Sequence, residues 1–129
     1  MKYIFTILGA LFITSVSYAK PIYIDCSASS ENSKESFSVK LDESTGKITH
    51  TAENGSAFNT EGFFSSDEVS YQKIDSLGDI AKITQIYKVN RINLSITKKE
   101  IAESTNGTPP MTVEKIGICK LASTKKKKI

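Results

Sequence analysis

The sequence predicts an all-β protein, a single small antiparallel β-barrel or sandwich of about seven to eight strands preceded by a signal-peptide helix. Three observations predict it. Apolar and polar residues alternate with a period of two in one short stretch after another. Clusters of Gly, Asn, Asp and Ser separate those stretches. Two cysteines, Cys26 and Cys119, stand near the two ends of the region that folds.

The first element is not part of that domain. Met1-Lys2 opens the chain, an apolar run extends from Tyr3 to Ile13, and Ser15-Val16-Ser17-Tyr18-Ala19 closes it with small and polar residues. This is the layout of a secretory signal peptide over residues 1–19, with Ser17 and Ala19 at the −3 and −1 positions of the cleavage site. The run is shorter than the ~20 residues a spanning helix needs. Cleavage after Ala19 leaves 110 of the 129 residues, enough for one domain with a modest core. The expected location is periplasmic or secreted, with no transmembrane segment once the signal is removed. In such an oxidising compartment Cys26 and Cys119 are expected to pair.

The β domain is expected over 20–121. Ile22 to Cys26 is a short strand with Ile22, Ile24 and Cys26 on one face. Phe37-Ser38-Val39-Lys40-Leu41 alternates strictly, Asp42 to Gly46 supplies turn chemistry, and Lys47 to Ala52 resumes the alternation, which reads as a hairpin. Asn54-Gly55-Ser56 marks another turn. Phe58, Phe63 and Phe64 follow at irregular spacing, and Thr60 to Val69 carries the one plausible helix-capping pattern, so a turn of helix is expected there. Glu68 to Ile74 alternates again, and Asp75 to Asp79 is read as a turn. The best long strand is Ile83 to Arg91, with Ile83, Gln85, Tyr87, Val89 and Arg91 in one phase. Asn93 is expected to turn the chain, because Asn tolerates a left-handed backbone. Leu94 to Ala102 follows, with Leu94, Ile96, Lys98 and Glu100 in phase. Ser104 to Pro110 is a loop, and Met111 to Leu121 is the last strand.

A Cys26–Cys119 bond brings the first and last strands within ~6 Å of each other. Neighbouring ends are what a closed barrel produces, and closure hides strand edges that would otherwise aggregate.

Charge is concentrated at one end. The full chain has 17 basic and 14 acidic groups, net +3. Lys125 to Lys128 supply four of the basic groups and Lys2 a fifth, so the rest of the chain carries 12 basic and 14 acidic groups, net −2. Residues 122–129 read as a disordered lysine-rich tail. Export argues against nucleic acid as a partner, and another protein or a cell-envelope component is the expected one.

The residues do not assemble a catalytic site, and no cofactor is expected. Nucleophilic catalysis needs an imidazole as base, and the one histidine, His50, sits in a predicted strand among threonines with no Gly-x-Ser-x-Gly elbow. It reads as a surface or hairpin histidine. One His and two distant Cys do not make a metal site. Asp67, Glu68, Asp75 and Asp79 cluster in sequence, and paired carboxylates hydrolyse glycosides, but acidic residues also populate turns for solubility. Asn54, Asn93 and Asn106 begin Asn-x-Ser/Thr triplets, which ordinary turn composition explains. Arg91, the one arginine, is the candidate recognition residue, because its planar fork suits a carboxylate or phosphate. The alternative is a structural arginine tying a strand end to an acidic side chain or to carbonyls.

Tyr87-Lys88-Val89-Asn90-Arg91, Phe64 with Val69-Ser70-Tyr71, and Gly117-Ile118-Cys119 together give the chain a resemblance. It resembles small exported bacterial β-proteins of uncharacterised function with a Tyr-x-Ile/Val-Asn-Arg strand and a late Gly-x-Cys. Ile92-Asn93-Leu94 stands where those proteins place a Thr-Gly or Ser-Gly turn. The resemblance implies a secreted β-domain and brings no activity with it. Periplasmic inhibitors of lysozyme are similar in architecture, but their Ser-Gly-x-x-Tyr loop is absent here.

The function expected is therefore a non-enzymatic exported binding module. The alternatives are an inhibitor of the lysozyme-inhibitor type, a small-ligand carrier with a cavity in the barrel, and a minimal hydrolase using the turn carboxylates.

Overall fold

The computed structural model describes residues 20–122. The signal-peptide helix expected over 1–19 and all but the first residue of the expected tail lie outside the described residues.

Within them the chain is all-β. The strands are β1 (Ile22–Ser29), β2 (Lys34–Asp42), β3 (Lys47–Ala52), β4 (Ala57–Glu61), β5 (Phe63–Phe64), β6 (Glu68–Leu77), β7 (Ala81–Asn90), β8 (Ser95–Ser104) and β9 (Met111–Leu121). They form one antiparallel sheet in the order β4-β3-β2-β1-β9-β8-β7-β6-β5, curled into a nearly closed barrel. Seven of the eight neighbouring pairs are hairpins of consecutive strands. The eighth, β1 with β9, joins an N-terminal meander of four strands to a C-terminal meander of five.

Nine strands form because the Phe-rich stretch is extended and not helical. The expected turn of helix at Thr60 to Val69 is absent: Ser65 and Glu68 close a hairpin turn between β5 and β6. The Ser65 N–H donates to the Glu68 carbonyl at 2.9 Å, and the Ser65 hydroxyl accepts from the Glu68 N–H at 3.1 Å. A Ser-x-x-Glu pattern that would cap a helix is used to tie a turn, because Phe64 and Val69 on either side pack on one core. The turn expected at Asp75 to Asp79 also begins later than read. Asp75 and Leu77 are still paired, with Ile83 and Ala81, so β6 runs to Leu77 and the turn centres on Gly78.

Asn93 does not take the left-handed backbone after β7; Leu94 does, with φ 61°. The asparagines serve as acceptors instead. Asn90 Oδ1 receives the N–H groups of Ile92 and Asn93, and Asn93 Oδ1 receives that of Ser95. Leu94 pays the cost of the unusual backbone because its side chain packs against the core.

The inward phase of each strand fills the barrel. Ile24, Val39, Ile48, Val69, Val89 and Ile96 are at most 1 % exposed. Above them lies an aromatic cluster: Phe37 stacks on His50 at 4.5 Å between ring centroids, His50 on Phe58 at 4.9 Å, and Tyr71 on Tyr87 at 4.7 Å.

The seam between β4 and β6 is closed by side chains. Thr60 donates its hydroxyl to the Gln72 carbonyl at 3.3 Å, and the Lys73 ammonium lies 5.2 Å from the Phe58 ring centre.

Candidate functional site

Arg91 stands at the end of β7, at the barrel base, and reaches back across the seam. Its Nη2 donates to Glu43 Oε1 at 2.7 Å, and its Nη1 to the Ser65 carbonyl at 2.5 Å. The guanidinium also stands 6.0 Å from the Phe64 ring centre. The hydrogen bond from Arg91 holds the Glu43 carboxyl below the ordinary glutamate range, against the upward push of desolvation. The fork is thus engaged by a residue 48 positions away and ties the turn between β2 and β3 to the β5–β6 turn. This is the structural role weighed against recognition.

The disulfide expectation is met: Cys26 and Cys119 are bonded, with Cα atoms 4.0 Å apart. The expected acidic cluster is not one site. Asp67 and Glu68 stand at one end of β6, while Asp75 and Asp79 stand at the other, where Asp75 pairs with Lys73 at 3.2 Å. About seven residues of extended strand lie between the two sets, roughly 20 Å. That is beyond the carboxylate separations at which glycosides are hydrolysed.

His50 is not a surface residue. It is 5 % exposed, sandwiched between Phe37 and Phe58, and its Nδ1 lies 2.8 Å from the Tyr71 hydroxyl. The inward phase of β3 puts it there: it lies directly between Ile48 and Ala52 on one face. Burial pushes its pKa down to about 4, with Lys98 and Lys73 adding to the shift and Glu35 opposing it. The imidazole is neutral at pH 7, and burial likewise raises the Tyr71 hydroxyl well above its usual value.

Sequence reasoning also missed an ionic group at the barrel mouth. Lys98 Nζ donates to both Glu35 oxygens, at 2.9 and 3.0 Å, and Lys115 Nζ to Oε1 at 2.8 Å. Burial pushes the Glu35 carboxyl up, but the bonds from Lys115 and Lys98 outweigh it and the net shift is downward. The signal was present in the alternation, since Lys98 shares the phase of Ile96; its partner, 63 residues away, was not legible.

Among the described residues no group of three or more His, Cys, Asp or Glu is placed to hold a metal ion. The three Asn-x-Ser/Thr triplets are turns whose Asn Oδ1 accepts the N–H two residues on: Asn54 from Ser56, Asn93 from Ser95, Asn106 from Thr108.

Two surfaces stand out among the described residues. One is a trough of about 690 Å³ on the outer face of β3, β2, β1 and β9, lined by Asp25, Ser27, Ser36, Ser38, Thr51 and Ile118 among others. Its small hydroxyl side chains leave the strand backbones as the floor, and the Asp25 carboxylate is engaged by Ser38 at 2.8 Å. The other is a four-stranded ribbon. β1 turns back at Ser29, opposite Ile116, whereas β6 to β9 run on, paired through Leu77–Ala81, Ala81–Ser104 and Ala102–Met111. The extension spans about five residues per strand, roughly 15 Å. On the face continuous with the barrel interior, Asp75, Ile83, Ala102 and Met111 form one cross-strand row, and Lys73, Gln85, Glu100 and Val113 the next. Leu77, Met111 and Val113 are 52 %, 68 % and 45 % exposed, where the same phase lower in the barrel is buried. On the opposite face Ile74, Ile116 and Ile118 are exposed too.

No family model, no curated protein and no solved structure matches this chain. Among the described residues no helix is long and apolar enough to cross a membrane.

Proposed function

We propose that the protein is an exported, disulfide-stapled β-domain that acts by surface contact and not by catalysis, and that its contact surface is the ribbon formed by the ends of β6 to β9. One observation carries the reading: the inward phase of these strands emerges from the barrel uncovered, so that Leu77, Met111 and Val113 stand in water. Exposed apolar groups on a paired sheet, interspersed with Lys73, Asp75 and Glu100, have the make-up of a protein-contact patch. The carrier alternative loses support because Phe37, His50, Phe58, Tyr71 and Tyr87 occupy the barrel centre. Export rests on the signal-like residues 1–19 and on a bonded cysteine pair, which an oxidising compartment maintains.

The test is site-specific photo-crosslinking in cells. A photoreactive phenylalanine at Val113 or Leu77 should give discrete adducts in the periplasmic or secreted fraction, and one at Lys40 on the opposite wall should not. Absence of adducts from both ribbon positions, or a product retained in the cytoplasm, defeats the reading.

A further inference from the structure

The ribbon has a free edge, and its sequence fits one occupant. The Cys119 N–H donates to the Leu94 carbonyl at 2.7 Å, on the β8 side. Alternation along an antiparallel strand then turns the N–H and C=O of residues 117, 115, 113 and 111 towards β8, and those of 118, 116, 114 and 112 the other way. Ile118 and Ile116 meet Ser27 and Ser29 of β1. Thr112 and Glu114 lie past the end of β1, so among the described residues their main-chain donors and acceptors face no strand.

We infer that this edge pairs with the same edge of a second copy, antiparallel about a two-fold axis through Val113; this rests on the ribbon being the contact surface. Three registers use the free groups. Centred on Thr112, the pairing sets Glu114 against Pro110, which has no N–H to give. Centred on Glu114, it sets two carboxylates face to face and matches Thr112 with Ile116, which β1 already holds. Centred on Val113, it matches Thr112 of each copy with Glu114 of the other. That register makes four main-chain hydrogen bonds from the groups that are free, and puts the two Val113 side chains together in the closely spaced, non-hydrogen-bonded position. Met111, 68 % exposed, then lies on the aliphatic stem of the partner copy's Lys115, whose ammonium is already turned inward to Glu35. Each Glu114 also keeps Lys99 opposite it on β8, which moderates repulsion across the axis. The patch is its own complement, as a two-fold interface requires.

The measurements are the mass by sedimentation equilibrium and a cysteine cross-link, both on the oxidised protein beginning at Lys20. Sedimentation should give twice the chain mass. Thr112→Pro and Glu114→Pro each remove an edge-facing donor while sparing the β8 ladder, and should weaken association by at least about tenfold. Val113→Cys, beside an intact Cys26–Cys119 bond, should form a symmetric disulfide-linked dimer under mild oxidation, and Lys82→Cys should not. A monomeric wild type whose Val113→Cys variant cross-links no faster than Lys82→Cys overturns the inference. So does a dimer that both proline variants retain. If self-association fails while Val113 still photo-crosslinks to another envelope component, the contact-surface reading stands with a different partner. If both fail, that reading falls as well.

Discussion

Cys26 of β1 and Cys119 of β9 face each other directly in register, with Cα atoms 4.0 Å apart, in the one strand pair that is not a hairpin of consecutive strands. The bond therefore fastens the two meanders to each other, where a bond inside either hairpin would add little. It spans a sequence separation of 93. The chain-entropy relation gives about 4 to 5 kcal/mol for a loop of that size, a large part of the stability of a small domain. Cys26→Ser/Cys119→Ser should lose that amount in urea unfolding. A loss under about 1 kcal/mol would mean the β1–β9 ladder holds without its staple.

The same ladder explains the glycine of Gly117-Ile118-Cys119. A Cβ on Gly117 would overlap the Ser27 carbonyl oxygen and come within 2.6 Å of the Ala28 Cα. Those are main-chain atoms of a paired strand and cannot step aside as a side-chain tip would. Gly117→Ala should destabilise by more than about 2 kcal/mol, with faster amide exchange concentrated in β1. Unchanged stability would show that β1 and β9 can separate locally without cost.

The alternation of apolar residues made most of the barrel legible. Phe37-Ser38-Val39-Lys40-Leu41 folds as read, because a period of two with one buried face admits no other register, and Met111 to Leu121 is a strand as read, pinned to β1 at Cys26–Cys119. Where reading failed, a distant contact decided. Ser65 to Glu68 carries a helix-capping pattern that Phe64 and Val69 override by packing. Leu94, not Asn93, takes φ 61° because the core claims its side chain. His50 was legible in phase but not in partner, since Tyr71 is 21 residues away on a strand of the other meander. The candidate surface was the least visible. Nothing local distinguishes Val113 from Val89; only the point at which β1 turns back leaves one bare and buries the other.

His50 sets a pH dependence with a definite sign. Its pKa falls from 6.5 to about 4 on folding, so the folded state holds the neutral ring while the unfolded chain takes up a proton first. The stability is fully present above pH 6.5 and is lost as pH falls from 6.5 towards 4, at about 1.4 kcal/mol per pH unit. Glu35, whose pKa is lowered from 4.5, adds a further loss only below that value. Urea midpoints should therefore slope downward from pH 6.5, and His50→Phe should flatten the upper part of the slope while lowering stability overall, because Tyr71 loses its partner. A wild type with flat stability between pH 6.5 and 5 would contradict a buried neutral imidazole.

Glu35 is the more demanding member of its triad. Lys98 and Lys115 side chains are 8 % and 14 % exposed, and this one carboxylate serves both ammonium groups. Removing it by Glu35→Gln strands two partly buried cations, whereas Lys98→Met removes one buried charge and leaves Glu35 paired with Lys115. Breaking a buried ion pair from one side costs about 3 to 5 kcal/mol, and an apolar replacement of similar volume is often close to neutral. Glu35→Gln should therefore cost about 3 kcal/mol and Lys98→Met clearly less, with little change between low and moderate salt, because the pair sits where ions screen poorly. The reverse order in urea unfolding would show that the lysine stems, packed beside the Tyr87 ring 5.5 Å from the Lys98 ammonium, matter more than the charge they carry.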